Sequence, residues 1–227
     1  MQANSSVKTD VVKTFIAEPN FPCVGAKAAL NQGHLDIFVA GDLRDSAADE
    51  AIIKALQKFA EGVNEDKVFA SFCVTFPDTP PLSEPLFESA LWQRLQALHD
   101  IDRRYSDWDP LVSSDPRSPD FGMSLGGHGF YVVGLHPNAS RPARRFGQAA
   151  LAFNLHSQFE QLKAEGRYDK LRGAISERDA ALSGSNNPML AEHGVVSEAV
   201  QYSGRAVGDE WTCPFKAGGF KAGARSS

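Results

Sequence analysis

The chain has 227 residues, 42% of them hydrophobic, and its 23 basic against 28 acidic residues leave a net charge of −5. A chain this long buries about 70–75% of its unfolded surface, enough for one cofactor-holding domain, and its acidic balance argues against nucleic acid or an anionic membrane as partner. No apolar run approaches the roughly 18–20 residues that span a bilayer, and the opening MQANSSVKTD lacks the apolar centre of a secretory signal, so the expected compartment is the cytoplasm.

Residues 1–20 read as an N-terminal arm with a short helix. Residues 24–33 predict a second helix with Gly33 as its C-terminal cap, and 34–43 a strand. Residues 47–63 form an amphipathic helix in which Ile52, Ile53, Leu56, Phe59 and Ala60 share a face. A strand at 67–76 and a long helix at 87–105 follow, the latter with Leu91, Leu95 and Leu98 on one stripe. Pro, Ser and Asp make 106–122 a loop, and 123–136 a strand or hairpin interrupted by glycines. Two helices are expected at 144–166 and 168–184, then mostly loop. Strands followed by helices predict an α/β or α+β fold: one compact domain over 21–215, a small mixed sheet covered by helices, and a flexible tail at 216–227. No repeat of fixed period is visible.

Three cysteines, with no CxxC pair, fit neither a disulfide framework nor a structural zinc site. Cys73 lies in the apolar FASFCVTF and reads as a core residue. Cys23 follows Pro22 and directly precedes a predicted helix, where unpaired N–H groups and the positive end of the dipole lower a thiol pKa. Cys213, in WTCPF, is the poorer thiolate, because Pro214 has no N–H to donate to the sulfur. His136 stands before Pro137 at a strand end and His156 within a predicted helix. Either imidazole is a normal haem or metal ligand. Arg141, Arg144 and Arg145 cluster where a helix is expected to start, against its dipole, so helix stabilisation does not explain them. Glu198 lies in SEAVQYSGR near Gln201 and Tyr202, and Arg205 closes that run. The glycines of SLGGHGFYVVG lead into a strand, which is not a dinucleotide or P-loop fingerprint, and the sequence has no HExxH helix.

The succession FPC, LHPNASRPARRF, FNLHSQFEQL, ISERDAALSGSNNPML, SEAVQYSGR and WTCPF resembles the YqcI/YcgG family over Phe21 to Phe215. Some members are haem-dependent N-hydroxylases of guanidine groups, found in guanitoxin and D-cycloserine pathways. The resemblance implies a monooxygenase that uses haem b, O2 and electrons from an external donor or reductase to N-hydroxylate a small guanidine or amine. It further implies that Cys23 is the axial ligand, with His136, His156 and Cys213 as alternatives; a thiolate there promotes O–O cleavage. Arg141, Arg144, Arg145 and Arg205 would face the propionates, and Glu198, ahead of Glu160 and Asp179, would hold the substrate cation. Leu135 stands where members often have Phe, and Leu155 where Pro is common, so pocket shape and substrate are where this chain departs. Two other readings are a haem-binding sensor or carrier without turnover and a non-haem hydrolase built on Cys23 and His136.

Overall fold

Alternation of small and large side chains along the central strands gives the protein its architecture. The computed structural model describes residues 2–64, 67–187, 189 and 196–218; Pro188, His193 and most of the expected tail lie outside them. One mixed sheet has the order β1-β2-β5-β4-β3. Its strands are β1 (Leu35–Val39), β2 (Ser71–Phe76), β3 (Met123–Leu125), β4 (His128–Leu135) and β5 (Ala149–Leu155). β1 and β2 are parallel, joined through α3 (Asp49–Glu61), and the other neighbours are antiparallel. The fold is the expected α/β domain with a small mixed sheet covered by helices.

A strand's side chains alternate between faces, so each face has its own composition. Phe72, Val74 and Phe76 of β2, Leu151 and Phe153 of β5, and Phe130 and Val132 of β4 fill the main core. α3 and α4 (Glu84–Asp102) close that side with Leu56, Phe87, Leu91 and Leu95. The opposite face presents Cys73, Val133, Leu135 and Ala150, against which Val12 and Ile16 of α1 (Gln2–Ala17) pack. α2 (Val24–Asn31), α5 (His156–Ala164) and α6 (Tyr168–Ser183) complete the cover on this second side.

One expected element is corrected. Residues 144–166 are not one helix but β5 followed by α5. The alanines at 149, 150 and 152 favour a helix locally, yet Ala150 and Ala152 take one face of the sheet while Leu151 and Phe153 take the other. That period of two, between β2 and β4, overrides propensity. The arginine cluster therefore opens no helix: it surrounds a 3₁₀ turn, Pro142–Arg144. The expected hairpin is present, its turn made by Gly126 and Gly127 at φ 61° and 77°. Those left-handed values are the ones a two-residue hairpin loop requires.

Gly134 ties the sheet to the C-terminal segment. Its N–H donates to the Tyr202 carbonyl at 2.7 Å. A Cβ at this position would lie 2.8 Å from both Leu91 Cδ1 and Phe87 Cε1 and 2.9 Å from that carbonyl oxygen. Gly134→Ala is expected to destabilise the protein by about 1–3 kcal/mol through overpacking, read as a lower denaturation midpoint. An unchanged midpoint would show that α4 and the Tyr202 segment move apart freely.

Candidate active site

The second face of the sheet opens on a cavity of about 330 Å³, floored by Cys73, Tyr131, Val133, Ala152 and Asn154 and walled by α1, α2, α5 and α6. Small side chains at Cys73 and Ala152 leave the space that larger residues would fill.

Cys23 stands on the wall as the N-cap of α2, its sulfur accepting the Ala26 N–H at 3.4 Å. The helix terminus is where the sequence puts it, but the expected lowering of the thiol pKa is corrected. Desolvation raises it, more than the Ala26 and Gly25 N–H groups and the Arg144 charge lower it. A Cβ on Gly25 would meet only ordinary contacts, 3.6 Å from Phe69 and 3.9 Å from the sulfur. No clash within the protein therefore demands a glycine there, and its absent side chain widens the cavity beside the thiol.

Glu198 reaches the same cavity from the 3₁₀ helix Glu198–Gln201. Ser197 starts that turn, its Oγ accepting the Ala199 N–H at 3.3 Å. Glu198 is 5% exposed. Its Oε1 accepts from His156 Nε2 at 3.1 Å and from the Tyr202 hydroxyl, which itself accepts the Met123 N–H at 3.2 Å. Burial raises the Glu198 pKa, and the bonds from His156 and Tyr202 act against it. Among the described residues none donates to Oε2. Arg144 fixes the turn, donating to the carbonyls of Gly134 at 3.0 Å, Gln201 at 3.1 Å and Tyr202 at 3.3 Å. Tyr131 adds a bond to Gln201 Oε1 at 2.9 Å.

Compared with known protein families, residues 12–216 match the YqcI/YcgG family. The chain belongs to the YqcI/YcgG family. No curated protein and no solved structure matches it. The matched span takes in the end of α1, Cys23, the whole sheet and Glu198.

In this YqcI/YcgG protein the other predicted site residues separate. His136 is corrected: rather than edging the cavity, it is buried on the opposite side of the sheet, stacked on Phe87 with ring centroids 4.2 Å apart. Desolvation lowers its pKa to about 4. Cys23 and His136 thus cannot act as a nucleophile–base pair. Cys213 packs against the main core, burial pushing its thiol to about 12. His156 is the first residue of α5 rather than a mid-helix residue, and its Nε2 is used by Glu198. Arg141 lines the cavity but is bound to Asp179, with Nε donating at 3.0 Å, and to the Ser185 carbonyl at 2.9 Å. Arg145 donates to the Ala139 and Ser140 carbonyls, both at 3.0 Å, and Arg205 pairs with Glu88 of α4. Neither lines the cavity; of the four arginines only Arg141 and Arg144 do. Glu160 pairs with Lys163 on the surface at 2.6 Å, and Asp179 is taken by Arg141, which leaves Glu198 as the cavity's acidic candidate. Tyr131 and Asn154 were missed as site residues; the parity that places Val133 and Ala152 on this face identifies both.

A carboxyl whose folded pKa lies above its unfolded value stabilises the fold when protonated, and that contribution is lost as pH rises through the folded pKa. Glu198→Gln is therefore expected to unfold at a higher temperature than wild type at neutral pH, with the difference shrinking as pH falls into the ordinary carboxylate range. A pH-independent difference, or a less stable variant at neutral pH, would show that ionised Glu198 carries no desolvation penalty.

Proposed function

We propose that the protein binds haem b in this cavity through Cys23 and N-hydroxylates a small guanidine- or amine-containing substrate held by Glu198. One observation carries the reading: a helix-capping thiol and a buried carboxylate open onto the same largely apolar cavity. Porphyrin supplies four of the iron's ligands, so a single sulfur on the wall is the kind of donor the group needs from the chain. Family membership supports the reading, since haem-dependent guanidine N-hydroxylases occur among its members.

Bound haem supplies the O2 activation and the oxygen transfer. The chain supplies the rest. Burial favours the protonated thiol at Cys23, and a haem iron held there would select the thiolate, with release of that proton. The carboxylate of Glu198 accepts N–H bonds from the substrate cation, a charge-assisted pair strengthened by the dry surroundings. The largely apolar lining offers the reacting nitrogen few competing polar groups. In the reaction one substrate N–H becomes N–OH, and the second oxygen atom leaves as water. Two electrons and two protons balance it, the electrons coming from an external donor or reductase.

Protein produced with ample haem is expected to carry about one haem per chain. Its reduced CO complex is expected to show the red-shifted Soret band of thiolate ligation, lost in Cys23→Ser. A featureless visible spectrum would remove haem from the account, and a histidine-type band unchanged in Cys23→Ser would remove Cys23 as the ligand.

A further inference from the structure

His156 is held in a way that iron ligation does not explain. It is the first residue of α5, directly after the last residue of β5, and its Nε2 is 3.1 Å from Glu198 Oε1. Opposite the ring lies the backbone of Gly122. A Cβ there would fall 2.6 Å from Nε2 and 2.9 Å from Cδ2, and 2.9 Å from Val112 Cγ1. Contacts that close do not occur between real side chains, so Gly122 must lack one for the imidazole to sit where it does. Tyr202, whose hydroxyl accepts the Met123 N–H, donates to the same Oε1. Two donors thus converge on one carboxylate oxygen, while among the described residues none bonds the other.

We infer that His156 is the positioning residue of the cavity carboxylate: seated against Gly122, it holds Oε1 of Glu198 so that Oε2 is presented to the substrate cation. The inference rests on the reading of Glu198 as the group that receives that cation. An ionised Glu198 requires the proton of the imidazole on Nε2, which fixes the tautomer. The consequence is selectivity. A carboxylate pinned through one oxygen keeps its charge and direction in a site whose burial favours the neutral acid, and so distinguishes a cation from an uncharged molecule of the same shape.

Calorimetric titration of the full-length protein with butylguanidinium and with its uncharged isostere N-butylurea tests this. Wild type is expected to prefer the cation, and Glu198→Gln to lose the preference. His156→Phe is expected to lose roughly tenfold of it, the scale of one hydrogen bond to a charged group, with N-butylurea binding unchanged. His156→Gln restores an N–H donor and is expected to recover most of the loss. Gly122→Ala removes no polar atom, yet is expected to reproduce the His156→Phe result, and it carries the test should His156→Phe not fold. Preference for the cation retained in His156→Phe and Gly122→Ala overturns the inference. So does equal weakening of both probes, which marks His156 as general support for the cavity. Equal binding of the two probes by wild type and by Glu198→Gln instead overturns the role of Glu198 itself, and the inference with it.

Discussion

The sheet of this protein has two unlike faces, and the rest of the structure depends on that difference. On β5, Leu151 and Phe153 point into the main core, while Ala150 and Ala152 point the other way. β2 repeats the arrangement with Phe72 and Val74 on one side and Cys73 on the other. The core face buries large aromatic and aliphatic groups against α3 and α4 and supplies most of the hydrophobic stabilisation. The other face gives up burial, and the space so left is the cavity. Replacing its small floor residues by large ones would add core and remove the site.

Within that space the polar groups are costly, and their partners show how the cost is offset. A carboxylate in a dry site favours its neutral form unless donors hold the charge. Glu198 has two donors on Oε1, one four residues on at the end of its own 3₁₀ turn and the other on α5. Arg144, half-buried beneath the 3₁₀ turn, is occupied by the carbonyls of Gly134, Gln201 and Tyr202. Its charge holds the turn in place, and through the turn the carboxylate. The thiol of Cys23 is placed differently, by a helix terminus whose N–H groups favour the thiolate while the surrounding protein disfavours it. A cationic metal centre would reverse that balance, since coordination selects the deprotonated sulfur. Stability is conceded at the carboxylate and the thiol together, as expected where function rather than packing has set the residue.

Much of the frame is legible in the sequence, because local signals agree with the tertiary structure there. The amphipathic stripe of α3, the paired glycines between β3 and β4, and Gly184 at the left-handed C-cap of α6 all report what the chain does locally. β5 is not legible in the same way. Its alanines have helical propensity, and only the strands on either side make the period of two the deciding pattern. Among the site residues, Cys23 can be placed because Pro22 and the helix after it are neighbours in sequence, whereas its pKa depends on enclosure by α1, α2 and the sheet. The arginines could not be assigned locally: Arg141 finds Asp179 38 residues on, and Arg205 finds Glu88 117 residues back. His136 fails as a site residue for a related reason. One step along the chain from cavity-facing Leu135, it turns to the opposite face and stacks on α4.

The cavity, the capping thiol and the buried carboxylate all lie within the stretch that belongs to the YqcI/YcgG family. We propose that together they form an oxygen-transfer site for a nitrogen cation, and the fate of the oxygen atoms tests that proposal most directly. Haem-loaded protein, given a chemical or enzymatic electron donor and a panel of small guanidines and amines under ¹⁸O-labelled O2, should yield an N-hydroxylated product carrying one labelled oxygen, analysed by mass spectrometry. Product whose oxygen comes from solvent water, or reductant consumed across the panel with no hydroxylated product, would contradict the account.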